Sequence, residues 1–154
     1  MRYLTTFILF FTLTFTGVAM ASNGGDDSAR TIEIIGTDNL KFDVTAIEAA
    51  PGEQITIRYT TESEMPKMAM AHNVVVIDKD ADVDKVAMAS MQAADNEYIS
   101  PDHKESIVAA TALAGGGETV EVTFTVPKAP GEYPYICTFP GHYMAGMKGV
   151  LTVK

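Results

Sequence analysis

The most regular stretch of the chain is Thr119 to Val126, where Val120, Val122, Phe124 and Val126 alternate with Thr119, Glu121, Thr123 and Thr125. A period of two puts the apolar set on one side of an extended segment, so this segment predicts a strand covering one side of a core. The alternation recurs at Ile32 and Ile34, at Leu40, Phe42 and Val44, and, after a turn at Pro51-Gly52, at Ile55, Ile57 and Tyr59. His72 to Ile77, HNVVVI, is a β-branched run whose even positions share a face when extended. If Val74 and Val76 point into a core, they carry His72 with them. Glu132 to Phe139 sets Tyr133, Tyr135 and Cys137 on a common face, and Val150 to Lys154 supplies a last short strand.

One segment departs from this pattern. Val83, Ala87, Met91 and Ala94 recur at helical spacing behind an Asp-rich start suited to capping, which predicts one helix over Val83 to Ala94 inside a long insertion. Seven or eight short strands with antiparallel neighbours, and one helical excursion, predict an all-β fold: a two-sheet Greek-key β-sandwich. No internal repeat is present.

With 154 residues, 47% of them hydrophobic and 20% charged, the chain has the size and composition of one domain with a single core. Residues 1–21 read separately. Met1-Arg2 makes a positive start, Leu4 to Val18 is mainly apolar, and Ala19-Met20-Ala21 is a small-residue cleavage pattern, so we expect a signal peptide cut after Ala21. The competing reading is an uncleaved anchor, because Tyr3 to Ala21 approaches the ~20 apolar residues of a membrane span; its interleaved threonines weigh against that. No cysteine lies near the cut to carry an acyl chain, so the mature chain is expected to be soluble, without a membrane span. Residues 22–30, SNGGDDSAR, read as a flexible leader, and residues 31–154 as the folded domain.

Removing Arg2, the one charged residue of that first segment, takes the formal charge from −9 to −10. That sign disfavours nucleic acid and suits a partner with a basic patch. An exported chain could form disulfides, yet Cys137 is its only cysteine. A lone exported thiol is buried and inert, or reactive, or a metal ligand held as thiolate.

Cys137-Thr-Phe-Pro-Gly-His142-Tyr-Met144-Ala-Gly-Met147 favours the last of these. A thiol, an imidazole and a thioether lie within eleven residues, and His72 stands far upstream. A thiolate with two imidazoles in a trigonal set, plus a weak distant thioether, suits copper cycling between two oxidation states. Pro140-Gly141 turns the chain so that one loop supplies three donors, and His72 closes the site from a strand. Taken alone, Cys137 reads first as a small core residue; with the other three donors, copper ligation is the stronger reading. Met144 competes with Met147 as axial donor but, two residues after His142, is expected to point outward. His103, between Asp102 and Lys104, reads as a solvated surface residue without a role. Met65, Met68 and Met70 read as core filler, as a Cu(I)-collecting cluster or, our first choice, as an exposed docking surface.

HNVVV, CTFPGH and MKGVLTV resemble the azurin family of small blue copper proteins and are similar also to auracyanins. So are IEIIGTDNLKFD, MPKMAMAHN and the flap ending near Tyr98 to Asp102, so the resemblance spans nearly the whole domain. It implies a cupredoxin-like, plastocyanin/azurin-like copper-binding domain over 31–154 with one copper per chain, alternating between Cu2+ and Cu+. In it His72 and His142 are imidazole ligands, Cys137 the thiolate and Met147 the weak axial ligand, while Asn73 ties the ligand segments together. It also implies a docking patch of Met70, Pro140, Met144 and Ala145 around the edge of His142, the electron port. Three departures stand out. Four residues separate His142 from Met147 where azurins usually have three and auracyanins resemble this chain. Ala71 replaces a glycine whose carbonyl approaches copper, and a Cβ makes a positive φ there costly; any weak backbone contact from Ala71 is affected. The azurin disulfide has no cysteine pair here.

The function expected is that of a periplasmic electron carrier, not an enzyme. It would be a monomer that docks transiently with redox proteins such as c-type cytochromes or a copper-dependent or haem reductase or oxidase. The alternative is a periplasmic copper chaperone or storage protein. A cysteine hydrolase with His142 as base ranks last, since a thioether has no use in acyl transfer.

Overall fold

The structure is a computed structural model and describes residues 29–154; the expected signal peptide and the leader up to Ser28 lie outside the described residues. β-Branched and aromatic residues at alternate positions fit a pleated, half-buried surface, and most of the alternating segments form strands. In chain order these are β1 (Arg30–Thr37), β2 (Lys41–Phe42), β3 (Ala46–Ala49), β4 (Gln54–Glu62), β5 (Ala71–His72) and β6 (Val75–Ile77). After one α-helix, α1 (Val83–Met91), come β7 (Ile107–Ala110), β8 (Ala114–Gly115), β9 (Thr119–Thr125), β10 (Gly131–Ile136) and β11 (Lys148–Val153). One sheet is ordered β2-β1-β4-β9, the other β3-β11-β10-β6-β7, and among the described residues β5 pairs only with β8. This is the expected cupredoxin-like sandwich with one helix in a flap. It has more strands than anticipated because several are only two residues long.

The strands differ from the expectation at three points. Antiparallel pairing was expected throughout, but β1 runs parallel to β4 and β3 parallel to β11. Between β1 and β4 the chain crosses to the second sheet and lays down β3 there; it then re-enters the first sheet at the end where β1 began. Second, the strand expected over Leu40 to Val44 pairs only at Lys41 and Phe42, because the Asp43 carboxylate accepts from the Ile35 N–H (2.6 Å) and from the Val44 N–H (2.8 Å), bending the chain. Third, Arg30 belongs to the fold rather than to the leader: it starts β1, and its guanidinium bonds the Glu53 carboxylate (2.6 Å) and the Glu48 carbonyl (2.7 Å).

Between the sheets, Ile34, Ile57 and Tyr59 of the first face Tyr133, Tyr135 and Leu151 of the second, all buried. A second, smaller core lies under α1, whose first turn is capped by the Asp82 carboxylate accepting from the Lys85 N–H (3.2 Å). The helix ends at Met91, short of the expected Ala94, and its buried residues are Val86, Ala87 and Ser90. They place the His72 to Ile77 run between two cores: Val74 and Val76 enter the main one, Val75 and Ile77 the one under α1, with Ile136. Among the described residues no helix is long and apolar enough to cross a membrane.

Because Ile77 is fully buried although it faces away from the main core, Ile77→Ala is expected to cost ~2–5 kcal/mol, as for a central core position. Val122→Ala, on half-buried β9, is expected to cost less than about half of that. Urea midpoints of the two variants check this; equal, small losses would show that α1 does not build a second core.

Candidate metal centre

The loop after β10 is closed by its own backbone. The His142 N–H donates to the Phe139 carbonyl (3.1 Å), the Ala145 N–H to Gly141 (3.0 Å) and the Met147 N–H to His142 (3.0 Å), and the Cys137 N–H reaches the Met147 carbonyl (3.1 Å). Gly141 (φ 85°) and Gly146 (φ 94°) occupy the two left-handed positions this path needs, where a side chain would be strained. His72 ends β5, held opposite Ala114 of β8. Ala71, beside it, is a buried strand residue with no positive φ, so its Cβ is accommodated without backbone strain.

These elements bring three donors together in the interior. His142 Nδ1 lies 3.0 Å from His72 Nδ1, and Cys137 Sγ lies 3.5 Å from His142 Nδ1 and 3.8 Å from His72 Nδ1. Two neutral imidazole nitrogens this close repel unless one carries a proton toward the other or both face a cation. The centre of the triangle lies about 2 Å from each corner, close to a first-row metal–nitrogen bond length and slightly short of a metal–sulfur one. The donor set and its spacing therefore fit a metal ion. His72, Cys137 and Met147 are 0% exposed and His142 4%, so among the four expected donors only His142 reaches the surface. Its ring packs, tilted, with its centroid 4.9 Å from that of Phe139 and 4.7 Å from that of His72.

Burial also sets the protons. It pushes His72 down to about 4, helped by the neighbouring His142, and pushes His142 down to about 4. The Cys137 thiol is pushed up to about 12 by the same desolvation, against the opposing pull of the Asn73 and Phe139 backbone N–H groups. At neutral pH the imidazoles present free lone pairs, and a binding cation displaces one thiol proton.

Asn73 lies where it can tie the two segments. Its Oδ1 accepts from the Thr138 N–H (2.9 Å) and hydroxyl (3.1 Å), and its Nδ2 donates to Thr138 Oγ1 (2.8 Å). Thr138 was not singled out from the sequence, nor was Thr111, whose hydroxyl and backbone hold Val74 just beyond (both 3.0 Å). Gly36 was also missed: a Cβ there would collide with the Tyr59 hydroxyl and fall 2.7 Å from Met147 Cε, so a glycine makes room for both side chains. A glycine inside a strand pattern was the available signal. Met144 is 70% exposed, Pro140 and Ala145 are exposed and Met70 is half-buried, while Met68 is 96% and Met65 43% exposed. His103 is half-buried at a kink in the 3₁₀ segment Pro101–Ser106, not fully solvated as expected.

The two lowered imidazoles predict acid sensitivity of the copper-free protein. Between the unfolded-state value near 6.5 and the folded value near 4, the unfolded chain binds more protons, so stability falls as pH falls through that window and levels off below it. The loss is on the order of 2–3 kcal/mol for each histidine. Urea midpoints measured from neutral pH to about 4.5 should decline, and His142→Gln should remove roughly half of the decline; a flat profile in the parent protein would contradict the burial argument.

The family model described as copper binding proteins, plastocyanin/azurin family, matches residues 30–154. Auracyanin-B of Chloroflexus aurantiacus is 37% identical over 127 residues, which are 81% of this chain but 52% of that protein, so the chain spans about half its length. Azurin-1 of Alcaligenes xylosoxydans xylosoxydans is 40% identical over 124 residues, covering 78% of this chain and 94% of that one. The solved structure of auracyanin A from Chloroflexus aurantiacus, described as a "blue" copper protein, superposes with a TM-score of 0.73 at 38% identity, covering 82% of this chain and all of its own. With the fold, the buried donor triangle and these similarities in agreement, the chain belongs to the plastocyanin/azurin family of copper-binding proteins.

Proposed function

We propose that this chain is a single-electron carrier whose copper, one per chain, would be held by His72 Nδ1, His142 Nδ1 and Cys137 Sγ, with the Met147 thioether as a further, weak donor. The observation that carries this reading is a buried donor triangle of which His142 alone is exposed at all, at 4%. Copper supplies a one-electron couple between its two oxidation states. The protein's part is to hold the donors on sandwich strands and on a loop closed by its own hydrogen bonds, so that little has to move when charge changes. The buried donors leave no approach for a substrate, which favours a carrier over an enzyme.

The edge of His142 is the proposed electron port, and Met70, Pro140, Met144 and Ala145 around it the docking rim for a redox partner such as a c-type cytochrome or a copper-dependent or haem reductase or oxidase. Modest contact area suits fast release. We place the carrier in the periplasm, on the strength of the export pattern of residues 1–21.

Addition of Cu(II) to the purified protein is expected to give an intense visible band, absent in Cys137→Ser, that bleaches on reduction and returns on reoxidation. Prompt loss of colour as Cu(I), with no recovery, would replace the carrier by the chaperone or storage reading.

A further inference from the structure

The helix of the flap touches the ligand loop on both sides of His142. The Gly141 N–H, immediately before it, donates to Met91 Sδ (3.4 Å), and the Tyr143 hydroxyl, immediately after it, donates to Asp84 Oδ1 (2.7 Å). Asp84 lies in the first turn of α1 and Met91 is its last residue. Seven residues apart, they sit almost two turns apart on one side of the helix. Tyr143 also packs against the small core under α1, which contains Val86, Ala87 and Ile136, the residue before Cys137.

The hydrogen bonds of His142's own peptide stay inside the loop, reaching Phe139 and Met147, and they move with it. Apart from the contacts of the His142 ring itself, the hydrogen bonds that tie the middle of the loop to the rest of the molecule come, among the described residues, from α1 at positions 141 and 143 and from Lys41, whose Nζ donates to the Ala145 carbonyl (2.6 Å). Those at α1 flank the imidazole directly.

We propose that α1 is a brace for His142, in which Asp84 and Met91 are positioning residues that fix where its Nδ1 stands relative to Cys137 Sγ and His72 Nδ1. This rests on His142 being a metal donor. The insertion carrying α1 thereby acts on the metal centre without supplying a donor to it.

The test uses the full chain with Asp84→Ala, Tyr143→Phe, Met91→Leu and the conservative Asp84→Asn, whose side-chain oxygen still accepts from Tyr143. In copper-free protein, amide hydrogen exchange of residues 141–146 should speed up several-fold in the first three variants and return toward the parent rate in Asp84→Asn. In copper-loaded protein the same three should shift the electron paramagnetic resonance signature and the midpoint potential, and Asp84→Ala combined with Tyr143→Phe should be no worse than either alone. Parent-like exchange, signature and potential in the single variants would overturn the brace. So would an effect of Asp84→Ala that Tyr143→Phe does not share, since that would reflect helix stability alone. Failure of the underlying copper assignment would show separately, as a parent protein without the visible band.

Discussion

Carried two residues beyond its last main-chain pair, the antiparallel register of β6 and β10, which sets Val75 opposite Ile136, places Asn73 opposite Thr138. There the ladder continues through side chains: the Asn73 amide satisfies both the backbone and the hydroxyl of Thr138 in a fully buried setting. Each of these residues follows a donor in sequence, His72 and Cys137. Removing one partner would strand buried polar groups at about 1–3 kcal/mol and free the two donor-bearing segments to part. The spacing of the donors therefore depends on this junction as much as on the sheets.

Around it the interior is almost wholly apolar, with Tyr59, Val74, Tyr135, Phe139 and Met147 in one buried cluster with Cys137. A low-dielectric surround keeps the imidazoles neutral and the thiol protonated until a cation replaces the proton. It also covers the donors, so that of His72, Cys137, Met147 and His142 the last alone is exposed at all. Rigidity, burial and a single exposed donor thus arise from one packing arrangement.

Much of this could be read from the sequence, for physical reasons. Alternation at Val120 to Val126 and at Tyr133 to Cys137 reports a face, and the faces assemble as the pattern says. The Cys137-His142-Met147 loop announces its chemistry because few other uses need those three atoms together. β3, β7 and β8 escaped because they are short and rich in alanine and glycine, with little β-branched signal. The parallel pairs escaped because direction within a sheet depends on where the chain crosses between layers. The even positions of the His72 to Ile77 run could be assigned to a core, but the odd ones could not, and the covering helix explains why Val75 and Ile77 are apolar. Thr138 and Thr111 were invisible because a threonine that bonds a buried partner has the same letter as one that faces water.

The hydrogen bond from Cys137 to Met147 makes the donor loop leave β10 and rejoin β11 at neighbouring points, where Ile136 already pairs with Lys148. β10 and β11 therefore meet the same two ends of the loop whatever residues lie between them. What the paired strands leave open, the contacts from Asp84, Met91 and Lys41 fix, so the shape of the loop answers to α1 and β2 rather than to the two strands that carry it.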